Sequence, residues 1–187
     1  LERVIVSTDS LEIARASLEA GAEVPFMRPT YLAEDASAEW LSWQHMLQFL
    51  RDSEGAFPEA LTSIPVTSPL RRAKDVEACI SEYHKGSWDA VITVTSAQRN
   101  PYFNMVRRSP DGEATIAIES PTRYTRRQDA PDLYDMCTVA YVARAEFVLQ
   151  AGSLWEGRIG SVVIPQERAL DIDSPFDLKV ARLLFAE

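Results

Sequence analysis

Residues 1–29 read LERVIVSTDSLEIARASLEAGAEVPFMRP, and their pattern predicts a strand, a helix and a second short strand in immediate succession. Val4, Ile5 and Val6 form a brief apolar run that ends in the polar cluster Ser7-Thr8-Asp9-Ser10. Ile13, Ala14, Ala16, Ser17 and Ala20 then recur at helical spacing up to Gly21. Short polar side chains accept the free N–H groups of a first helical turn, and glycine closes a last turn in the left-handed conformation. The stretch Glu23–Pro29 reads as a short strand ended by proline. A strand running straight into a helix is how a parallel βα sheet is wound. A sheet whose first strand lies outside this stretch opens in the same way.

The alternation continues along the chain. A second helix is expected from Ser37 to Arg51, with Trp40, Leu41, Met46, Leu47 and Leu50 on its inner side. EALTSIPV (59–66) reads as a strand, AKDVEACISEYHK (73–85) as a helix and DAVITVTS (89–96) as a buried strand. The pattern then changes over residues 98–136. RRSPDGEATIAI (107–118) looks like a hairpin, and RYTRRQDAPDLY (123–134) is polar, basic and irregular. Strand CTVAYVA (137–143), helix AEFVLQ (145–150), strand GSVVIP (160–165) and an amphipathic helix PFDLKVARLLFAE (175–187) complete a single α/β domain over 1–187. A structureless insert this long is uncommon in a compact domain, so 98–136 is a candidate dimerisation arm or substrate flap.

With 187 residues, 46% of them hydrophobic, the chain suits one domain with a substantial core. A formal net charge of −9 argues against nucleic acid or an anionic membrane surface as partner, although a local arginine cluster can still hold a small anion. No apolar stretch is long enough to span a bilayer. Cys79 and Cys137 lie far apart, without zinc-type spacing, and read as buried thiols of a cytoplasmic protein.

Three segments can carry chemistry. In IPVTSPLRRAKD (64–75) a buried strand is expected to exit at Val66 into Thr67, Ser68 and Pro69, then Leu70, Arg71 and Arg72, before a helix begins. Open α/β sheets bind ligands beyond the carboxyl ends of their strands, and hydroxyls beside a helix N-terminus suit a nucleotide's sugar or phosphate. A capped turn with solvated arginines is the plainer reading. In ERALDIDSPFD (167–177), period-two geometry puts the Asp171 and Asp173 carboxylates on one side of an extended segment, with Ile172 facing the core. Such a pair suits Mg²⁺, which takes oxygen ligands and keeps water and substrate phosphate in its shell. The alternative is that Asp173 or Ser174 caps the last helix. In TRRQD (125–129), Arg126 and Arg127 can clamp a carboxylate and Gln128 can reach a hydroxyl or amide, or all three are simply solvated.

Taken in order, VIVSTDSLEIA, GAEVPFMRPTYLAEDAS, TSPLR, NPY, RRQDAPDLY and DIDSPFD resemble the acylneuraminate cytidylyltransferase family, the CMP-sialic and other CMP-nonulosonic acid synthetases. The resemblance covers almost the whole chain. It implies a Rossmann-like nucleotidyltransferase fold, a three-layer α/β sandwich with a mainly parallel sheet and an arm exchanged in a homodimer. It also implies a reaction between CTP and a nonulosonic acid, with Mg²⁺ as cofactor and pyrophosphate released. The same resemblance implies roles for individual residues: Arg28, Ser37, Thr67 and Ser68 at the nucleotide, and Asp171 and Asp173 as catalytic metal ligands. Arg126, Arg127, Gln128, Tyr141 and Trp155 would lie at the sugar. A non-catalytic dimeric domain that binds nucleotide or sugar acid is the alternative, and a Kdo-type cytidylyltransferase fits the motifs less well.

Three departures qualify the resemblance. The family opens with a strand and a phosphate-binding loop, Pro-Ala-Arg followed by Gly-Ser-Lys and a later Lys-Asn, and these residues contain neither. The expectation is a longer natural protein, with feeble turnover by this chain alone. Pro65-Val66 stands where sialic acid enzymes have Gln-Pro, and CTVAY replaces Asn-Gly-Ala-Ile-Tyr, so Cys137 takes the place of an asparagine. Both changes fall on the sugar side and shift the expectation from N-acetylneuraminate to the wider class, legionaminic- and pseudaminic-type sugars included.

Overall fold

The computed structural model describes residues 3–185 and forms a mixed α/β fold. Its helices are α1 (Leu11–Glu19), α2 (Glu39–Glu54), α3 (Ala73–Tyr83), α4 (Ala145–Gln150) and α5 (Pro175–Phe185). Its strands are β1 (Ala60–Ser63), β2 (Ala90–Ser96), β3 (Val106–Arg108), β4 (Ala114–Ile116), β5 (Tyr134–Arg144) and β6 (Ile159–Val163). Four of them form a mixed, mainly parallel sheet in the order β1-β5-β2-β6, while β3 and β4 form a separate antiparallel hairpin. Residues 186 and 187 of the expected last helix lie outside the described residues.

The chain divides into two compact units. The first comprises the chain up to Ser63 with Ser87–Ala90 and Val142–Ile159. Here α1 begins at Ser10, whose hydroxyl accepts the Ile13 N–H, and the chain turns at Gly21 with φ of 86°. The apolar run at 4–6 makes one parallel bridge, Ile5 to Glu23, in place of the expected strand pair. Val6 N–H donates to Glu23 and Glu23 N–H to Val4, but the next inward N–H on that side would belong to Pro25, which has none. In α2 the buried residues are Trp40, Trp43, Leu47 and Leu50, a clean helical stripe. Leu41 lies about 100° round from Trp40 and is exposed, contrary to the expectation. Trp40 and Gln44 donate to the Ala151 carbonyl at the end of α4, at 3.0 and 2.9 Å, and the Trp40 ring meets Phe147 edge-on. Gly157 is needed where it stands, because a Cβ there would come within 2.6 Å of the Phe147 ring.

The second unit comprises Ile64–Gly86, Val91–Tyr141 and the described residues from Gly160 onward. Residues 91–94 of β2, Val-Ile-Thr-Val, are all buried, as suits a strand with neighbours on both sides. Within this core Thr93 is fully buried and its hydroxyl bonds the Cys137 and Ala140 carbonyls of β5 at 2.9 and 3.0 Å. Cys137, Val139 and Ile164 pack together beside it. Both cysteines are free and buried. The hairpin expected at 107–118 forms, turning through Gly112 with φ of 99°. The strand expected at 59–66 ends early, at Ser63, and Val66 is 92% exposed rather than buried. Pro65 cannot donate to a ladder, so the chain leaves the sheet edge there.

Candidate active site

In the second unit, residues 64–72 form an irregular turn between β1 and α3. The Thr67 carbonyl accepts the Ile172 N–H at 2.9 Å, which brings the Asp171–Asp173 segment against this turn. Ser68 is fully buried and its hydroxyl lies 2.7 Å from the Thr138 hydroxyl of β5. Its side chain is therefore engaged as a strut between turn and strand. Arg71 folds back on the same turn, donating through Nε to the Ser68 carbonyl at 2.9 Å and through Nη2 to the Pro65 carbonyl. Burial lowers the proton affinity of Arg71, and the negative charge of Asp171 opposes that effect. The turn thus holds a partly desolvated guanidinium that feels the charge of Asp171.

Two expectations competed at 171–174. The cap of α5 is Ser174: its hydroxyl and its N–H both donate to Asp177, at 2.6 and 2.8 Å, and Pro175 follows at the first helical position. The Asp173 N–H also donates to Asp177. The hydroxyl of Ser174 holds the Asp177 carboxyl below the usual carboxylate range, and the backbone bonds add to it. Neither Asp171 nor Asp173 is consumed in capping. Asp171 Oδ1 is buried with no hydrogen-bond partner, one of two such side-chain atoms among the described residues. A buried carboxylate oxygen without a donor is costly in isolation and calls for a cation or a ligand proton.

That orphaned oxygen fits a divalent metal. Among the described residues no group of three or more metal-ligating side chains occurs. Asp171 is half-buried and Asp173 exposed, so the buried unpartnered oxygen belongs to Asp171 alone; a carboxylate oxygen of this kind is the donor type Mg²⁺ takes when the rest of its shell is water and phosphate. The Cys137 thiol lies close enough to feel Asp171 and Asp75. Its burial raises its pKa most, the Thr93 hydroxyl opposes this, and the two carboxylates add to the rise. Cys137 is thus a neutral, weakly donating group in the position that the sequence resemblance gives to an asparagine.

The remaining expected site residues are placed as follows. In the first unit, Arg28 donates through Nε to the Ser7 hydroxyl at 3.1 Å and through Nη2 to the Ser7 carbonyl, while its own N–H bonds the Thr8 carbonyl. Ser37 precedes α2 rather than opening it, and its hydroxyl donates to the Tyr31 carbonyl at 2.7 Å. Trp155, also in the first unit, sits in a short 3₁₀ turn, 67% exposed. In the second unit, Arg126, Arg127 and Gln128 are all exposed, with Arg127 and Gln128 in a 3₁₀ turn. Arg126 makes a bidentate pair with Asp129, both contacts at 2.9 Å. Arg127 instead donates to the Ala97 carbonyl at 2.5 Å and lines a cavity of about 240 Å³ with Arg99, Asn100, Asp132 and Tyr134. Tyr141 is buried in β5.

Sequence reasoning named Arg71 without giving it a role, and it gave none to Thr138. A TSPLR turn next to prolines signals a fold-back arginine only in hindsight. The Ser68–Thr138 contact spans 70 residues and has no local signature.

No family model matches the chain. Over its whole length it is 31% identical to the post-translational flagellin modification protein B of Campylobacter coli, covering 78% of that protein. It is also 31% identical, over 99% of its length, to the CMP-N,N'-diacetyllegionaminic acid synthase of Campylobacter jejuni, covering 77% of that enzyme. In fold it is similar to the CMP:2-keto-3-deoxy-manno-octonic acid synthetase solved with CTP, with a TM-score of 0.65, 16% identity and coverage of 100% and 81% of the two chains. The chain belongs to the acylneuraminate cytidylyltransferase family, the CMP-nonulosonic acid synthases.

Proposed function

We propose that the protein is a cytidylyltransferase that activates a nonulosonic acid with CTP, and that Asp171, Asp173 and the Thr67–Arg71 turn hold the triphosphate end of the reaction. The observation that carries this reading is the Ile172–Thr67 hydrogen bond, which joins the two-carboxylate segment to the hydroxyl-bearing turn with Asp171 Oδ1 left unpartnered beside Arg71. The anomeric hydroxyl of the sugar acid attacks the α-phosphorus of CTP. A new P–O bond forms, the bond to the bridging oxygen breaks, and pyrophosphate leaves. Catalysis of such a transfer is mostly positioning and charge neutralisation. Mg²⁺ bound by Asp171 and Asp173 would screen the phosphate charge and orient the leaving group. Arg71 adds a fixed positive charge, and Thr67 presents a hydroxyl to the nucleotide.

Arg28, held by Ser7, is assigned to the cytosine or ribose, with Ser37 shaping its loop. For the sugar carboxylate, Arg127 is the better group than Arg126, because Asp129 already neutralises Arg126. Gln128, next to Arg127 in the same 3₁₀ turn, is assigned to the sugar side with it. Residues 98–136 form the dimerisation arm of a homodimer, a role supported by the exposed Met105, Val106, Ile118, Tyr134 and Met136. No helix among the described residues is long and apolar enough to cross a membrane. A cytoplasmic location is the reading that a CTP-consuming reaction favours.

The test is pyrophosphate release from CTP with N-acetylneuraminic, legionaminic and pseudaminic acids, with and without Mg²⁺. Asp171→Asn and Asp173→Asn should each lower the Mg²⁺-dependent rate by roughly 100-fold or more, the scale of losing several kcal/mol of charge stabilisation. Unaltered rates in both variants would remove the metal assignment. CTP binding with no turnover of any of these acids would favour the non-catalytic alternative.

A further inference from the structure

The segment that carries Asp171 and Asp173 is tied to the hydroxyl-bearing turn by a second contact besides the Ile172–Thr67 bond. Arg168 lies in the 3₁₀ turn Gln166–Arg168, three residues before Asp171. Asp75 lies in the first turn of α3, four residues after Arg71. Arg168 Nε donates to the two Asp75 oxygens at 2.9 and 3.2 Å, and Nη2 donates to Oδ1 at 3.0 Å. Asp75 also accepts the Arg72 N–H at 2.9 Å. Only 4% of the Asp75 side chain and 12% of that of Arg168 are exposed.

A buried ion pair is a poor device for stability alone, since well-packed apolar residues often do as well in its place. What a guanidinium fork supplies, and apolar packing does not, is a fixed distance and angle between two chain segments. Here those segments are the two whose relative placement decides whether one ligand can touch both the carboxylates and the turn. The pair also removes a conflict of charge. Asp75 is bonded to Arg168, three residues before Asp171, which brings it to the segment that carries the second carboxylate, and both carboxylates add to the rise of the Cys137 pKa. Unpaired, Asp75 would add a third negative group beside the intended ligands and compete for any cation bound there.

We propose that Arg168 is a positioning residue: through Asp75 it holds the Asp171–Asp173 segment in register with the Thr67–Arg71 turn, so that a divalent cation and the CTP phosphates meet at one place. This rests on the metal reading of the preceding subsection. Arg168 touches neither substrate nor metal, and its effect runs through Asp75.

The experiment titrates Mn²⁺ into the protein with CTP present, following free Mn²⁺ by electron paramagnetic resonance. It compares the wild type with Arg168→Lys, which keeps the charge and loses the fork. A double variant, Asp75→Asn with Arg168→Gln, leaves no buried charge unpaired and serves if the lysine variant fails to fold. Loss of an outer-shell partner of a metal site costs about 10–100-fold in affinity, and the Mn²⁺ dissociation constant is expected to rise by that amount. CTP binding in EDTA should stay within about twofold of wild type, and kcat should fall while KM for CTP holds, because only the metal-dependent step loses its geometry. Mn²⁺ affinity and kcat within about twofold of wild type in a folded variant would overturn the proposal. Asp171→Asn separates the two levels. If it binds Mn²⁺ normally, the metal reading falls and this inference with it. If it abolishes binding while the Arg168 variants bind normally, the positioning role alone is lost.

Discussion

Replacing Ser68 by alanine separates a strut from a ligand-binding hydroxyl. Ser68 is fully buried, and its hydroxyl meets that of Thr138 at 2.7 Å. A net hydrogen bond of this kind contributes about 1 kcal/mol, and a partner stranded away from water costs about 1–3 kcal/mol. Thr138 is only half-buried, so water can reach its freed hydroxyl and the low end applies to Ser68→Ala, about 1–1.5 kcal/mol. Thr138→Val strands the fully buried Ser68 hydroxyl instead and should cost more, about 2 kcal/mol. For a chain of this length each kcal/mol lowers Tm by roughly 2–4 °C, so both singles are readable by thermal melts. The double variant removes both polar groups together and should cost less than the sum by about 1 kcal/mol. Urea unfolding of the four proteins closes the cycle. Additive costs, or a Ser68→Ala loss below about 0.3 kcal/mol, would refute the strut. A nucleotide-binding hydroxyl would show itself differently: Ser68→Ala would raise KM for CTP, with Thr138→Val leaving it alone.

Two further outcomes follow from the same geometry. Burial alone would raise the pKa of Asp75, but the Arg168 fork and the Arg72 N–H outweigh it and hold the carboxyl below its usual range. A depressed carboxyl contributes stability that is fully present above its unfolded pKa, near 3.9, and is lost as pH falls through its lower folded value. Wild type should therefore lose Tm more steeply below about pH 4 than the neutral Asp75→Asn/Arg168→Gln variant, and parallel Tm curves from pH 6 to pH 2 would contradict this. The exposed apolar residues of the 98–136 arm predict a dimer, which light scattering at micromolar concentration checks directly; a monomer there would count against the arm.

Element types were legible because each was written in a local period. The stripe of Trp40, Trp43, Leu47 and Leu50, the β-branched, mostly apolar stretch 90–94 and the Ser-Pro-Asp-Gly turn of the hairpin all declare themselves within a dozen residues. Boundaries failed where proline acts on a neighbour. Pro25 stops the Ile5–Glu23 pairing after one bridge, and Pro65 releases β1 from the sheet edge three residues before the expected exit at Val66. At the candidate site, sequence alone supplied the residue types in the turn and in Asp-Ile-Asp. It left open which residue caps α5, and the Ser174–Asp177 bonds decide that in favour of free aspartates. The contacts that join the halves had no local signal. Arg168 pairs with Asp75 across 93 residues, and nothing near either marks it as other than a surface charge.

The arginines of this acidic chain fall into two classes by the kind of oxygen they rest on. With a net charge of −9, bulk attraction is absent, so the binding charge must be placed rather than accumulated. Arg28 rests on Ser7, Arg71 on the Pro65 and Ser68 carbonyls, and Arg127 on the Ala97 carbonyl. A guanidinium has five N–H donors and keeps its charge when it spends one or two on neutral oxygens. Each of these three is thereby held by neutral oxygens and keeps its charge. Arg126 and Arg168 differ in kind, because Asp129 and Asp75 take both their donors and their charge. The acceptor type thus sorts the arginines: those on carbonyls are free to meet an anion, and those on carboxylates hold the frame. On the proposed assignments, exchanging the two classes would leave the sequence composition untouched and cost the chain its uncompensated positive charge.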